Sequence, residues 1–82
     1  MKTNWRENNN TLSRTFEFKD FKEALTFVNE VGVICEELNH HPNISMYDYK
    51  YVIITTTTHD VGNTLTELDY TLTQRIDELF EK

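Results

Sequence analysis

The sequence predicts an α+β fold in which a four-stranded antiparallel sheet has both helices packed on one face, in the order β-β-α-β-β-α. Three observations favour this fold. Short segments rich in β-branched and aromatic residues occur in two pairs. Each pair is followed by a longer segment whose apolar residues recur every three or four positions, as on an amphipathic helix. The chain has only 82 residues, so we expect a single domain over residues 1–82.

The first pair of strands is predicted at Trp5–Glu7 and Leu12–Phe18. The triplet Asn8-Asn9-Asn10 lies between them, and asparagine favours turns because it tolerates left-handed backbone geometry. Within the second strand Leu12 and Phe16 share one parity while mostly polar residues share the other, which indicates a half-buried strand.

A helix is predicted to follow these strands. Asp20 is typical of an N-cap, and Glu23 three residues later completes a capping-box pattern. Pro42 disfavours helical geometry at His41, so we expect the helix to end near His40. Its predicted buried stripe consists of Phe21, Ala24, Val28, Val31, Cys35 and Leu38.

The second half of the chain repeats this order. Strands are predicted at Ile44–Tyr47 and Tyr49–Thr57, with the connection near Asp48. A last helix follows, and either Thr64 or Thr66 can cap it. Its predicted buried stripe consists of Leu65, Leu68, Leu72, Ile76 and Leu79.

Charge and hydropathy limit the partners of this chain. Eight basic and 14 acidic residues give a formal charge of −6, and a field of that sign repels the phosphate backbone of nucleic acids. No apolar run approaches the roughly 18–20 residues needed to span a bilayer. Residues 1–7 lack the apolar stretch of a signal peptide. We therefore expect a cytoplasmic protein with no nucleic-acid or membrane partner.

Size and cysteine content favour self-association. A domain this small buries only roughly 60–65% of its unfolded surface, so its own core is thin. Cys35 is the only cysteine, so no internal disulfide can compensate, and a reducing compartment fits. Because Cys35 falls on the predicted buried stripe, we interpret it as a structural residue.

The three histidines are the strongest candidates for a functional site. His40 and His41 lie at a predicted helix end and His59 lies just past a predicted strand, and such element ends feed the loops where functional residues concentrate. Imidazole also titrates near neutral pH, which suits proton transfer. Glu36 precedes His40 by four positions, so we expect the two on one helical face.

Other interpretations of these residues are open at this point. Three histidines with a carboxylate are also the ligand set of a metal site, although the His-Glu-x-x-His pattern is absent and we predict no metal. Histidines at element ends can also be ordinary surface residues. Trp5, the sole tryptophan, can either anchor a strand in the core or line a pocket for a ring-shaped ligand.

The arrangement of these residues resembles that of the pterin-4a-carbinolamine dehydratases. The segment 36–42, with sequence EELNHHP, is similar to a family signature in which an acidic residue precedes His-His-Pro by a short gap. The other matching positions are Trp5, the strand-to-helix junction at 16–24, Tyr49, His59 and Asp69. The resemblance covers nearly the whole chain, from Trp5 to about Leu79.

The resemblance implies an activity, which is loss of water from a 4a-hydroxytetrahydropterin to give the quinonoid dihydropterin. It implies that His40, His41 and His59 are catalytic, with Glu36 orienting His40. Asp69, Trp5 and Pro42 are then supporting or substrate-binding residues.

The resemblance also implies partners. The pterin is the substrate and no separate cofactor is needed. The chain is expected to form a homodimer or homotetramer and to be linked functionally to an aromatic amino-acid hydroxylase. One member of the family acts as a dimerisation cofactor of a transcription factor, so a non-catalytic interaction module is the alternative.

Overall fold

The computed structural model describes residues 4–58, 62 and 64–81. In this part of the chain each of two strand pairs precedes a helix, and together the strands form one antiparallel sheet in the order β1-β2-β4-β3. The elements are β1 (Arg6–Asn8), β2 (Thr11–Glu17), α1 (Phe21–Leu38), β3 (Asn43–Tyr47), β4 (Tyr51–Thr56) and α2 (Glu67–Phe80). The predicted fold class and element order are confirmed.

Within each strand pair, a tight turn that contains residues with positive φ connects the two strands. Asn9 and Asn10, with φ of 51° and 64°, join β1 to β2 as the asparagine triplet predicts. Asp48 and Tyr49, with φ of 49° and 56°, join β3 to β4. The predicted strand at Tyr49–Thr57 therefore begins too early, because Tyr49 belongs to the turn and β4 starts at Tyr51.

The core lies between the sheet and the helices. Alternate residues of β4, namely Val52, Ile54 and Thr56, are fully buried on the helix-facing side. Phe16 of β2 lies at the centre of an aromatic cluster, with ring centroids 4.8 Å from Phe27 and 4.9 Å from Phe80. Such packing of large rings provides much of the apolar burial of a domain this small.

The helix starts follow the predicted caps. Asp20 accepts a hydrogen bond from the backbone N–H of Glu23 at 2.9 Å, at the start of α1. At the start of α2 the cap is Thr66 rather than Thr64, since the N–H of Thr66 donates to the Asp69 carboxylate at 3.0 Å. Both contacts give a hydrogen-bond partner to a backbone N–H that the start of a helix would otherwise leave unpaired.

Two residues of the predicted buried stripes are exposed. Phe21 is 51% exposed because it is the first residue of α1, and burial on that face begins only at Ala24. Leu68 is 41% exposed because the inward position at the start of α2 belongs to its neighbour Asp69, which is fully buried. Cys35 is buried as predicted, and this burial is the main cause that raises the pKa of its thiol.

Candidate active site

The C-terminus of α1 sets the positions of both adjacent histidines. Asn39, with φ of 52° and ψ of 44°, takes the left-handed conformation that ends the helix. The backbone N–H of His40 then donates to the carbonyl of Cys35 at 3.0 Å. The chain then passes through residues 40–42 into β3, which begins at Asn43, with His40 buried and His41 exposed. His40 and His41 consequently have different surroundings.

His40 points into the protein. Its side chain is 9% exposed, and its Nε2 lies 2.7 Å from Oδ1 of Asp69, the third residue of α2. The Oγ1 atom of Thr56, the last residue of β4, lies 3.2 Å from the same nitrogen. One end of each helix and the end of the central strand β4 thus meet at one imidazole.

Asp69 accepts hydrogen bonds on both carboxylate oxygens. Thr56 donates to Oδ1 at 2.6 Å, and Thr58 donates to Oδ2 at 2.7 Å. Burial acts to raise the pKa of Asp69, but the hydrogen bonds it accepts, led by those of the two threonine hydroxyls, outweigh burial and lower the pKa. Asp69 is therefore an ionised carboxylate at neutral pH.

The ionised carboxylate determines which nitrogen of His40 bears hydrogen. A carboxylate only accepts hydrogen bonds, so Nε2 of His40 donates to Asp69. Within the described residues no buried side-chain nitrogen or oxygen lacks a hydrogen-bond partner. Nδ1 of His40 forms no hydrogen bond with any of these residues, so it retains contact with solvent. A carboxylate behind one nitrogen and solvent at the other is the arrangement by which proteins orient an imidazole for proton transfer.

His41 points to the surface. Its Nε2 lies 2.6 Å from Oε2 of Glu36, and the two side chains are 60% and 78% exposed. The prediction that Glu36 orients His40 from the same helical face is therefore wrong. The helix ends at Leu38, and the left-handed turn at Asn39 directs His40 away from Glu36 and brings His41 to it instead.

A groove of about 680 Å³ runs beside this surface pair, between α1 and the start of β3. It contains three of the predicted site residues, Glu36, His41 and Pro42. Gly32 and Val33 of α1 and Ile44 of β3 provide further lining. An apolar groove with a few polar groups at its edge is the usual form of a small-molecule site.

The other predicted site residues have different locations. His59 lies outside the described residues. Trp5 is 4% exposed and donates from Nε1 to Oδ1 of Asp77 at 2.8 Å. Asp77 is eight residues along α2 from Asp69, about 12 Å at 1.5 Å per residue. Trp5 is therefore a core residue at the far end of α2 from His40.

Sequence reasoning did not single out Thr56 and Thr58 as site residues. Their side chains lie on the helix-facing side of β4 and its extension, and both contact Asp69. The run of four threonines at 55–58 immediately before His59 is the feature that could have indicated them.

Metal-ligand clusters and membrane-spanning helices are both absent from the part of the chain that the structure describes. Among the described residues no three His, Cys, Asp or Glu side chains are close enough to hold a metal ion together. His40 and His41 instead form separate pairs with Asp69 and Glu36. In the same part of the chain no helix combines the length and the apolar character that a membrane crossing requires.

The fold and the two histidine–carboxylate pairs define a small α+β protein with two adjacent histidines at the end of α1, each in contact with a carboxylate. The family model for pterin 4 alpha carbinolamine dehydratase matches residues 1–79. The chain belongs to the pterin-4a-carbinolamine dehydratase family.

Relatives with assigned names agree with this membership. A protein of Sulfurisphaera tokodaii, provisionally named pterin-4-alpha-carbinolamine dehydratase, is 47% identical over 92% of this chain and 78% of its own length. A protein of Prochlorococcus marinus with the same provisional name is 44% identical over 95% of this chain and 79% of its own.

Solved structures show the same fold. The transcriptional coactivator/pterin dehydratase of Brucella melitensis matches with a TM-score of 0.83 and 31% identity, over 92% of this chain and 80% of that one. A pterin dehydratase-like protein, identified as a RuBisCO assembly factor in the alpha-carboxysome, matches with a TM-score of 0.75 and 26% identity. That match covers 94% of this chain and 89% of the other.

Proposed function

We propose that this chain dehydrates a 4a-hydroxytetrahydropterin to the quinonoid dihydropterin by histidine general acid–base catalysis. Membership of the family supports the reaction class. The observation that most supports the mechanism is the buried Asp69–His40 pair, in which Nε2 is held by the carboxylate and Nδ1 retains contact with solvent.

The reaction needs two proton transfers. A base removes the proton from N5 of the pterin, and the electron pair of that N–H bond forms a double bond between N5 and C4a. The bond between C4a and the hydroxyl oxygen breaks, and an acid protonates the departing hydroxyl so that it leaves as water. No electrons enter or leave, so the chemistry requires no redox partner and no cofactor besides the substrate.

We assign these transfers to His40 and His59, with His41 orienting the substrate or sharing the acid role. His40 acts through Nδ1, because Asp69 occupies Nε2. Glu36 is assigned to His41, which it contacts, rather than to His40. Asp69 positions His40 and stabilises its protonated form, as the aspartate does in a serine-protease triad. A single acid–base group in such a site contributes roughly 10²–10⁴-fold.

We place the pterin at the end of α1, with part of its ring in the groove beside His41 and its reacting atoms towards Nδ1 of His40, which does not line the groove. Pro42 and Ile44 offer apolar surface to a flat ring, and Glu36 offers an acceptor for the amino and N–H groups of a pterin.

The physiological context that we propose is recycling of a tetrahydrobiopterin-type cofactor in the cytoplasm, beside an aromatic amino-acid hydroxylase. The thin core favours a homodimer or homotetramer.

A second candidate function is that of an interaction module. It is favoured by the solved relatives, since one is called a transcriptional coactivator as well as a pterin dehydratase and another a RuBisCO assembly factor. The ordered Asp69–His40 pair favours the enzyme, because a module that only binds proteins needs no imidazole held in one tautomer.

The deciding experiment is a rapid assay of 4a-hydroxytetrahydropterin dehydration with the wild type, His40→Ala and His59→Ala. We expect the wild type to accelerate the spontaneous reaction and each variant to lose roughly 10²-fold or more in kcat. A wild type that gives no acceleration would overturn the dehydratase proposal and favour the interaction module. An active His59→Ala variant would retain the reaction and reject the role of His59.

A further inference from the structure

The hydroxyl of Thr56 forms a closed triangle with the Asp69–His40 pair. Its Oγ1 lies 2.6 Å from Oδ1 of Asp69 and 3.2 Å from Nε2 of His40, and those two atoms are 2.7 Å apart. Thr56 is fully buried, as is Asp69. Water therefore cannot replace this hydroxyl without a rearrangement of the core.

The Thr56 hydroxyl has different roles towards its two neighbours, since it donates to Asp69 and accepts from His40. A threonine hydroxyl has one hydrogen and two lone pairs. The carboxylate accepts only, so the hydrogen of Thr56 goes to Asp69, and its oxygen presents a lone pair towards His40. Nε2 of His40 consequently faces two acceptors, and both are satisfied only when this nitrogen bears hydrogen.

Thr56 also affects the ionisation of Asp69 and the strength of its hydrogen bond to His40. Its hydrogen bond is among the causes that lower the pKa of Asp69, so it helps to keep a fully buried carboxylate ionised. At the same time it competes with His40 for the same oxygen, Oδ1, and so moderates the strength of the His40–Asp69 hydrogen bond.

We propose that Thr56 is a positioning residue for His40, whose buried hydroxyl, together with Asp69, fixes the ring as the Nε2–H tautomer with Nδ1 as the nitrogen that exchanges protons with the substrate. The catalytic part of this inference rests on the proposed dehydratase function. The tautomer part concerns the protein alone.

The chain provides a closely matched control. Thr57 is the next residue and is also buried, but its hydroxyl donates to the backbone carbonyl of Asn10 at 2.8 Å and not to Asp69. Thr57→Val therefore removes a buried threonine hydroxyl without touching His40. Thr56→Ser retains the hydroxyl and removes only a methyl group.

The test combines ¹⁵N-histidine NMR with steady-state kinetics on the wild type, Thr56→Val, Thr56→Ser and Thr57→Val. In the wild type we expect the neutral His40 ring to bear its proton on Nε2. In Thr56→Val the Nε2–H proton should shift downfield, because it then binds a carboxylate that has lost a competing donor. We expect kcat to fall by up to about 100-fold, the cost of a slightly misplaced catalytic group. Thr56→Ser should restore the NMR signal and the rate, and Thr57→Val should change neither.

Several outcomes would overturn the inference. An Nδ1–H tautomer in the wild type would do so without any variant, even if Thr56→Val does not fold. A Thr56→Val variant with the NMR signal and the rate of the wild type would also overturn it. So would a Thr57→Val variant that shows the same changes as Thr56→Val. The two proposals are separable. A wild type without dehydratase activity whose His40 signal responds as expected would reject the function alone, whereas activity with an unresponsive signal would reject the positioning role alone.

Discussion

Nε2 of His40 and Oδ1 of Asp69 are 2.7 Å apart although the two residues are 29 positions apart in the chain. The contact joins the residue that leaves α1 to the first turn of α2. It has almost no access to solvent, since the His40 side chain is 9% exposed and that of Asp69 is fully buried. A buried, charge-assisted hydrogen bond is stronger than one at the surface. Removing one partner costs a large part of the free energy of unfolding, because the other partner is left unsatisfied away from water.

Replacing Asp69 tests this penalty. In Asp69→Asn the amide nitrogen replaces one of the two oxygens, so it faces either the donors of Oδ1, which are His40 and Thr56, or those of Oδ2, which are the Thr58 hydroxyl and the Thr66 N–H. We expect the free energy of unfolding to fall by about 1–3 kcal/mol, the cost of unsatisfied buried polar groups. Urea unfolding followed by circular dichroism measures it. Asp77→Asn, which alters a partly exposed carboxylate of the same helix that contacts Arg14 and Trp5, is the comparison, and an equal or larger loss there would contradict the prediction.

Stability should also decline in acid because of Asp69. Its pKa in the folded protein is lowered, so the carboxylate binds protons less readily when folded than when unfolded. The resulting stability is fully present above the unfolded aspartate pKa of about 3.9 and is lost as the pH falls through the lower, folded value. Urea unfolding from pH 7 to pH 2 measures the slope. Asp69→Asn should show a shallower decline, and an identical slope would show that other carboxylates dominate.

The exposed Glu36–His41 pair should contribute less to stability than the buried Asp69–His40 pair. Glu36→Gln weakens the contact to His41, but exposed ion pairs contribute only about 0–1 kcal/mol, so the free energy of unfolding should change little. If Glu36 orients His41 or binds the pterin, kcat/KM should nevertheless fall. Glu30→Gln, at an exposed position of the same helix that does not line the groove, is the control for charge alone. Equal kinetic effects of the two variants would reject a specific role for Glu36.

The left-handed turn at Asn39 can be tested by backbone preference. Asn39→Ala should cost about 1–2 kcal/mol, because alanine has a steric clash at positive φ, whereas Asn39→Gly should cost much less. Since Asn39 directs His40, the alanine variant should also lose dehydration rate. Thermal unfolding and the assay measure both. An alanine variant as stable as the glycine variant would show that the turn does not require this conformation.

Trp5 allows the structural and ligand-binding interpretations to be separated. Trp5→Phe removes the Nε1–H that donates to Asp77 and leaves an aromatic ring against Phe16. We expect a loss of about 1 kcal/mol or more in unfolding free energy, with KM for the pterin unchanged. A raised KM without loss of stability would place Trp5 at the substrate instead.

Periodicity and caps predicted most of the fold, because they depend on local spacing. The asparagine turn at 8–10 and the Asp20 cap are both present. The strand start at Tyr49 was wrong because an aromatic residue gives no indication of a left-handed turn. Leu68 was also assigned to the wrong side of α2, because the inward position belongs to Asp69, and a buried aspartate is favourable only with donors that come from distant segments.

The candidate site was predictable in part. The resemblance implied that Asp69 supports the site, and it contacts His40, but the i,i+4 spacing gave His40 the wrong partner in Glu36, because that spacing holds only while the helix continues. Asn39 ends α1 one residue before His40, so the partner of His40 comes from α2 and that of Glu36 is His41. Thr56 was missed because a strand residue reveals its polar contacts only once its neighbours in space are known.

The meeting of α1, β4 and α2 at His40 has a consequence for how the protein loses function. No single segment contains this site, so partial opening of either helix end separates the imidazole from its carboxylate. Proton transfer by His40 should therefore be lost at or below the denaturant concentration that unfolds the whole chain, because helix ends can open locally at a lower free-energy cost than global unfolding. Under the proposed function, turnover then reports whether the junction of α1, β4 and α2 is intact rather than the fraction of chains that remain folded.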